Sequence, residues 1–87
     1  MSASPETIEV VKDLLSRTLQ LGDRAATMQS ETALLGNIPE LDSMAVVHVL
    51  TAIEEHFGIF VEDDEVSADS FATLGDLADF VQMKLAE

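Results

Sequence analysis

The sequence predicts an all-α domain, a small four-helix bundle of three longer helices and a short third helix, with a long first loop. Three stretches repeat apolar residues at the helical period. Each opens on a residue suited to N-capping, and no stretch makes a credible strand. A length of 87 residues gives one domain, 1–87, with one modest core and no internal repeat.

Residues 1–3 are expected to be loose. Ser4, Pro5 and Glu6 read as N-cap, first helical position and favourable first-turn acid. Ile8, Val11, Leu15 and Leu19 centre an apolar stripe, widened by Val10 and Leu14, with Glu9, Lys12, Asp13, Ser16 and Arg17 outside it. The first helix is predicted over about 5–21, with Gly22 as its stop. From Asp23 to Glu40 no period is sustained, and Gly36, Asn37 and Pro39 mark a connecting loop. Leu34, Leu35 and Ile38 are its expected apolar pins, and a short helical turn is expected near 27–30.

The second helix is predicted from Ser43, with Asp42 and Ser43 both good caps, to Phe57. At roughly 100° per residue, Val46, Val49, Leu50, Ile53 and Phe57 form its core stripe. Met44, His48, Thr51 and Glu55 fall on the opposite side, and Val47 lies between the two. Gly58 is the expected left-handed cap, with Ile59 reaching back to Ile53. Phe60 and Val61 carry apolar surface into the next link. Glu62, Asp63, Asp64 and Glu65 lack the spaced ligands and central glycine of an EF-hand loop. They predict instead the acidic first turn of a short helix over about 63–67 that buries Val66. Phe71 is the expected anchor of the second link. Thr73 and Asp76 resemble a capping box with Asp in place of Glu. The last helix is predicted over about 74–85, with Leu74, Leu77, Ala78, Val81 and Leu85 inward and Phe80 at the edge.

Four basic residues against 17 acidic ones give a formal charge of -13. That disfavours nucleic acid and anionic membrane as partners and points to proteins with basic patches. The absence of Cys excludes disulfides, cysteine-based zinc sites and cysteine nucleophiles, so any thiol chemistry must come from an attached group. The first residues have no basic region followed by an apolar run, and no run approaches transmembrane length, so a cytoplasmic monomer is the expectation. No metal site is expected. His48 and His56 stand about 80° and two turns apart on a helix, too far to share one ion without other ligands.

Ser43 is the candidate for chemistry. At a helix start its hydroxyl lies where unpaired N–H groups and the positive end of the dipole converge, so a phosphate there is electrostatically favoured. On residue type alone, a serine that opens a helix is usually only a cap.

Asp42-Ser43-Met44, preceded by Leu34-Leu35-Gly36 and followed by Ile53-Glu54-Glu55-His56-Phe57, resembles the signature of the acyl carrier protein family. The resemblance runs from about Ile8 to the C-terminus and implies that the long first loop folds against the bundle. It implies that Ser43 receives 4'-phosphopantetheine from coenzyme A through a separate, magnesium-dependent phosphopantetheinyl transferase, with Asp42 supporting the transfer. Acyl groups would ride on the arm as thioesters, presented to acyl-transferring or condensing enzymes of a fatty-acid, polyketide or specialised acyl pathway. The domain would then be a non-catalytic carrier, with Met44, Val47, His48, Thr51 and Glu55 forming a docking surface beside the arm. The commonest fatty-acid carriers have acids beside the serine and one turn after it. Here Ala45 and His48 stand there, which favours a specialised pathway.

Other readings compete. A peptidyl or D-alanyl carrier would use the same serine and arm. An unmodified acidic interaction module would use Ser43 only as a cap. A hydrolase built on Ser43 would need a base and an orienting acid converging on its hydroxyl, yet both His residues lie downstream on the same helix.

Overall fold

The computed structural model describes residues 3–86 and bears out the all-α class. Three α-helices, α1 (Pro5–Leu19), α2 (Ser43–Phe57) and α3 (Leu74–Leu85), carry the core, and 3-10 turns at Gly22–Thr27, Asp63–Glu65 and Ala68–Phe71 punctuate the links. Among the described residues the only pairing of strand type is an isolated bridge between Ala33 and Thr73, and no helix is long and apolar enough to cross a membrane.

The Ser4 hydroxyl accepts the Thr7 amide at 3.2 Å to start α1. Val11, Leu14, Leu15 and Leu19 are buried along it, as is Thr7, whose hydroxyl donates to Gln82 Oε1 at 2.9 Å. The expected end at residue 21 is corrected to Leu19. Leu21 is drawn into the core, so Gln20 turns the chain in the left-handed region (φ 55°) and the Leu21 amide bonds back to Ser16 O at 3.0 Å. The expected looseness of residues 1–3 is corrected at Ala3, which is buried and donates its amide to Asp79 Oδ1 at 2.6 Å. Met1 and Ser2 lie outside the described residues.

The first link lies against the bundle. Its helical turn falls at Gly22–Thr27, earlier than expected, because Leu21, Ala25 and Met28 turn inward at helical spacing. Leu34 and Ile38 are buried as expected, but Leu35 is exposed. Four backbone bonds join this link to the start of α3. Leu34 N–H reaches Ala72 O (2.9 Å) and Leu35 N–H reaches Phe71 O (3.1 Å), while Leu74 N–H reaches Thr32 O (3.0 Å) and Gly75 N–H reaches Ser30 O (2.7 Å). The last of these needs glycine, since a Cβ on Gly75 would stand 2.9 Å from the Ser30 carbonyl oxygen.

In α2, Ala45, Val49 and Ile53 are buried, with Val46, Leu50 and Phe57 packed at the margin. Gly58 takes the left-handed cap (φ 68°), and the Ile59 amide bonds to Glu54 O at 3.2 Å. The short helix expected over 63–67 is instead two 3-10 turns. Glu62 with Glu65, and Ser67 with Ser70, each form a capping box. Two caps five residues apart leave no room for α-helical bonding. The Lys84 ammonium, on a side chain only 9% exposed, ties the first turn to α3 through Glu65 at 2.7 Å.

Thr73 opens α3, its hydroxyl accepting the Asp76 amide at 3.0 Å. The inward face holds Leu74, Leu77, Ala78 and Val81 as predicted, but Phe80 and Leu85 exchange roles: Phe80 is buried and Leu85 is exposed. Leu85 sits in the final turn, and Phe80 is buried apart from the main core cluster, while α1 packs against both α2 and α3.

Candidate functional site

Two residues share the start of α2 and do different work. Asp42 is extended, and its Oδ1 accepts the Ala45 amide at 2.8 Å. Ser43 is the first helical residue, is exposed, and its hydroxyl has no hydrogen-bond partner among the described residues. Capping is therefore the task of Asp42 and leaves the Ser43 Oγ available for chemistry. The first amides of a helix have no partner within it and present positive charge to whatever is attached there.

The approach to Ser43 is pinned. Leu41 is buried and its amide donates to Ile38 O at 3.0 Å. One residue earlier, the Arg24 guanidinium forks onto the Glu40 carboxylate, with Nη1 to Oε1 at 3.1 Å and Nη2 to Oε2, while its Nε donates to Leu21 O at 3.4 Å. The hydrogen bond from Arg24 holds the Glu40 carboxyl below the usual carboxylate range. Neither residue of this clamp is singled out by the sequence, because the two stand 16 positions apart with no local pattern joining them.

Beside Ser43 lies a groove of about 390 Å³ whose apolar lining includes Leu35, Leu41, Val46, Val66, Ala68 and Phe71. Leu35 is thus exposed into a groove at the serine and is not a core pin.

The other candidates fall where the helical period puts them. Met44 and Val47 are 67% and 57% exposed, and His48, Thr51 and Glu55 are exposed beside them on the outward side of α2. Ala45 is instead buried in the core. Among the described residues no cluster of His, Cys, Asp and Glu is arranged to hold a metal.

A free, exposed hydroxyl at a helix start next to an apolar groove fits a phosphate-linked arm, with the phosphate at the helix end and an apolar cargo in the groove. The family described as "Phosphopantetheine attachment site" matches residues 9–81. Acyl carrier protein 1, chloroplastic, from Casuarina glauca is 41% identical over 99% of this chain. The chain spans 59% of that relative's length and 57% of its counterpart from Spinacia oleracea. The solution structure of a holo acyl carrier protein from Nitrosomonas europaea is 55% identical, covers 92% of this chain and 96% of its own, and superposes with a TM-score of 0.86. A holo acyl carrier protein from Geobacter metallireducens, 25% identical, covers 92% of this chain and 86% of its own with a TM-score of 0.72. The chain belongs to the acyl carrier protein family, whose prosthetic group is 4'-phosphopantetheine.

Proposed function

We propose that Ser43 is the attachment point of the 4'-phosphopantetheine arm and that the protein carries acyl groups to partner enzymes. The observation that carries this reading is the division of labour at the start of α2: Asp42 caps the helix and the Ser43 hydroxyl is left free and exposed. A phosphopantetheinyl transferase supplied with coenzyme A would join the Ser43 Oγ to the pantetheine phosphate, the hydroxyl proton leaving as adenosine 3',5'-bisphosphate is released. When bound, the arm supplies the thiol that the sequence lacks, and acyl groups travel on it as thioesters.

The chain's own residues then hold and present. The unpaired amides at the start of α2 face the phosphate. Leu35, Val46, Val66 and Phe71 offer an acyl chain apolar cover between presentations. Tethering keeps the cargo at high effective concentration for each enzyme that docks. Met44, Val47, His48, Thr51 and Glu55 are the proposed docking surface, with apolar contacts from the first two. Asp42 contributes its charge to the transferase step.

Acyl cargo is favoured over peptidyl or D-alanyl cargo by the apolar groove and by relatives that are themselves acyl carrier proteins. Ala45 and His48, at positions where the commonest fatty-acid carriers have acids, are the two departures that favour a specialised pathway.

Intact mass after incubation with coenzyme A, magnesium and a broad-specificity transferase tests the assignment, with Ser43→Ala in parallel. A gain of one phosphopantetheine on the wild type alone is expected. No gain on folded, unmodified wild type with two different transferases would leave an acidic interaction module as the better account.

A further inference from the structure

A second groove, larger than the one at Ser43, runs along α3, about 690 Å³ in volume. Its lining changes character along its length. Asp69 comes from the 3-10 turn before α3, Asp76 and Asp79 from the first half of the helix, and Phe80, Met83 and Ala86 supply an apolar floor from its second half and end. Phe80 is buried beneath that floor, and Met83 is 54% exposed in it. The 3-10 turn Ala68–Phe71 contributes to both grooves, giving Ala68 and Phe71 to the one beside Ser43 and Asp69 and Ser70 to this one.

The charge of this groove is not balanced from within. The chain has four basic residues, and each is committed to an acid elsewhere: Lys12 to Glu9, Arg17 to Asp13, Arg24 to Glu40 and Lys84 to Glu65. Asp79 accepts the Ala3 amide, a neutral donor that leaves its charge in place. Among the described residues no ion pair to Asp69, Asp76 or Asp79 is formed, so these carboxylates are suited to a cation carried by another molecule. A second copy of this chain is a poor occupant, because two bodies of formal charge -13 repel. Anionic lipid is disfavoured for the same reason.

We propose that this groove docks a cationic amphipathic helix of a partner protein, its basic end against Asp69 and Asp76 and an apolar side chain against Met83. Helix-in-groove recognition places apolar anchors at helical spacing on such a floor, and the acids steer the approach and fix its direction. A partner held here leaves the outward side of α2 and the Ser43 groove open, so the proposal is independent of whether Ser43 carries an arm.

The probe is a synthetic 15-residue Leu/Lys amphipathic helix, titrated into the full-length, isotope-labelled protein and its Ser43→Ala form while amide shifts are followed. The expected result is a set of perturbations over 69–70 and 76–86 in both forms, weakened by salt. Met83→Asp, at an exposed position, is expected to weaken binding about tenfold, while Phe60→Asp, at an exposed position outside both grooves, leaves it unchanged. Perturbations confined to α2, no binding, or equal binding of a neutral Leu/Gln helix would overturn the proposal. Concentration-dependent dimers abolished by Met83→Asp would overturn it in favour of self-association.

Discussion

At Asp42 a single side chain carries a structural role and a proposed functional one, and two substitutions separate them. Asp42→Ala removes the bond to the Ala45 amide and is expected to cost about 1 kcal/mol of stability. Asp42→Asn keeps a good cap, so stability in urea unfolding should be nearly unchanged, while the rate of pantetheine transfer to Ser43 falls with the lost charge. Equal transfer rates for Asn and wild type would reduce Asp42 to its capping role. Ser43→Ala is expected to leave the urea midpoint close to that of the wild type, since the hydroxyl makes no hydrogen bond among the described residues. Glu65 gives a prediction in pH. The Lys84 ammonium holds its carboxyl below the ordinary 4.5. A depressed folded value means the pair contributes stability above about pH 4.5 and loses it as the pH falls through that lower value. Glu65→Gln should therefore be less stable than wild type at pH 7, and the difference should shrink as the pH falls below 4.5 and through the lowered folded value. A difference that persists in acid would assign the effect to packing.

Among the elements, the join between the first link and α3 is the one that local chemistry would misjudge. Replacing Gly75 by alanine improves helix propensity by about 1 kcal/mol. The added Cβ, however, would meet the Ser30 carbonyl oxygen at 2.9 Å, and overpacking against backbone costs about 1–3 kcal/mol. Gly75→Ala is expected to lower the urea midpoint, and an unchanged or raised midpoint would show that the link gives way at little cost. The same join marks the limit of what the sequence reveals. Where the signal is local it is legible: Thr73 and the apolar period locate α3, and Asp42 and Gly58 bound α2. Where the decision is made by distant packing it is not. Nothing around Ser30–Leu35 announces that its carbonyls and amides pair with residues some 40 positions away. Periodicity names the inward side of α3, but not that Phe80 is buried and Leu85 exposed. At Ser43 the motif names the candidate, while the groove and the Arg24–Glu40 clamp required the folded chain.

On the scale of the whole molecule, excess negative charge dominates. With all four cations already paired, the remaining acids repel one another without local relief, and added salt screens that repulsion more than it weakens four ion pairs. The melting temperature should rise between low and moderate sodium chloride, and a flat or falling value would count against self-repulsion as the leading electrostatic effect. Pairing every cation has another effect, on choice of partner. A surface of mixed sign can distinguish visitors by matching plus to minus, position by position. Here electrostatics would draw cationic proteins near without ranking them. Under the proposed docking the ranking would fall to the shape and greasiness of exposed apolar side chains, among them Met44 and Val47 on α2 and Met83 on α3.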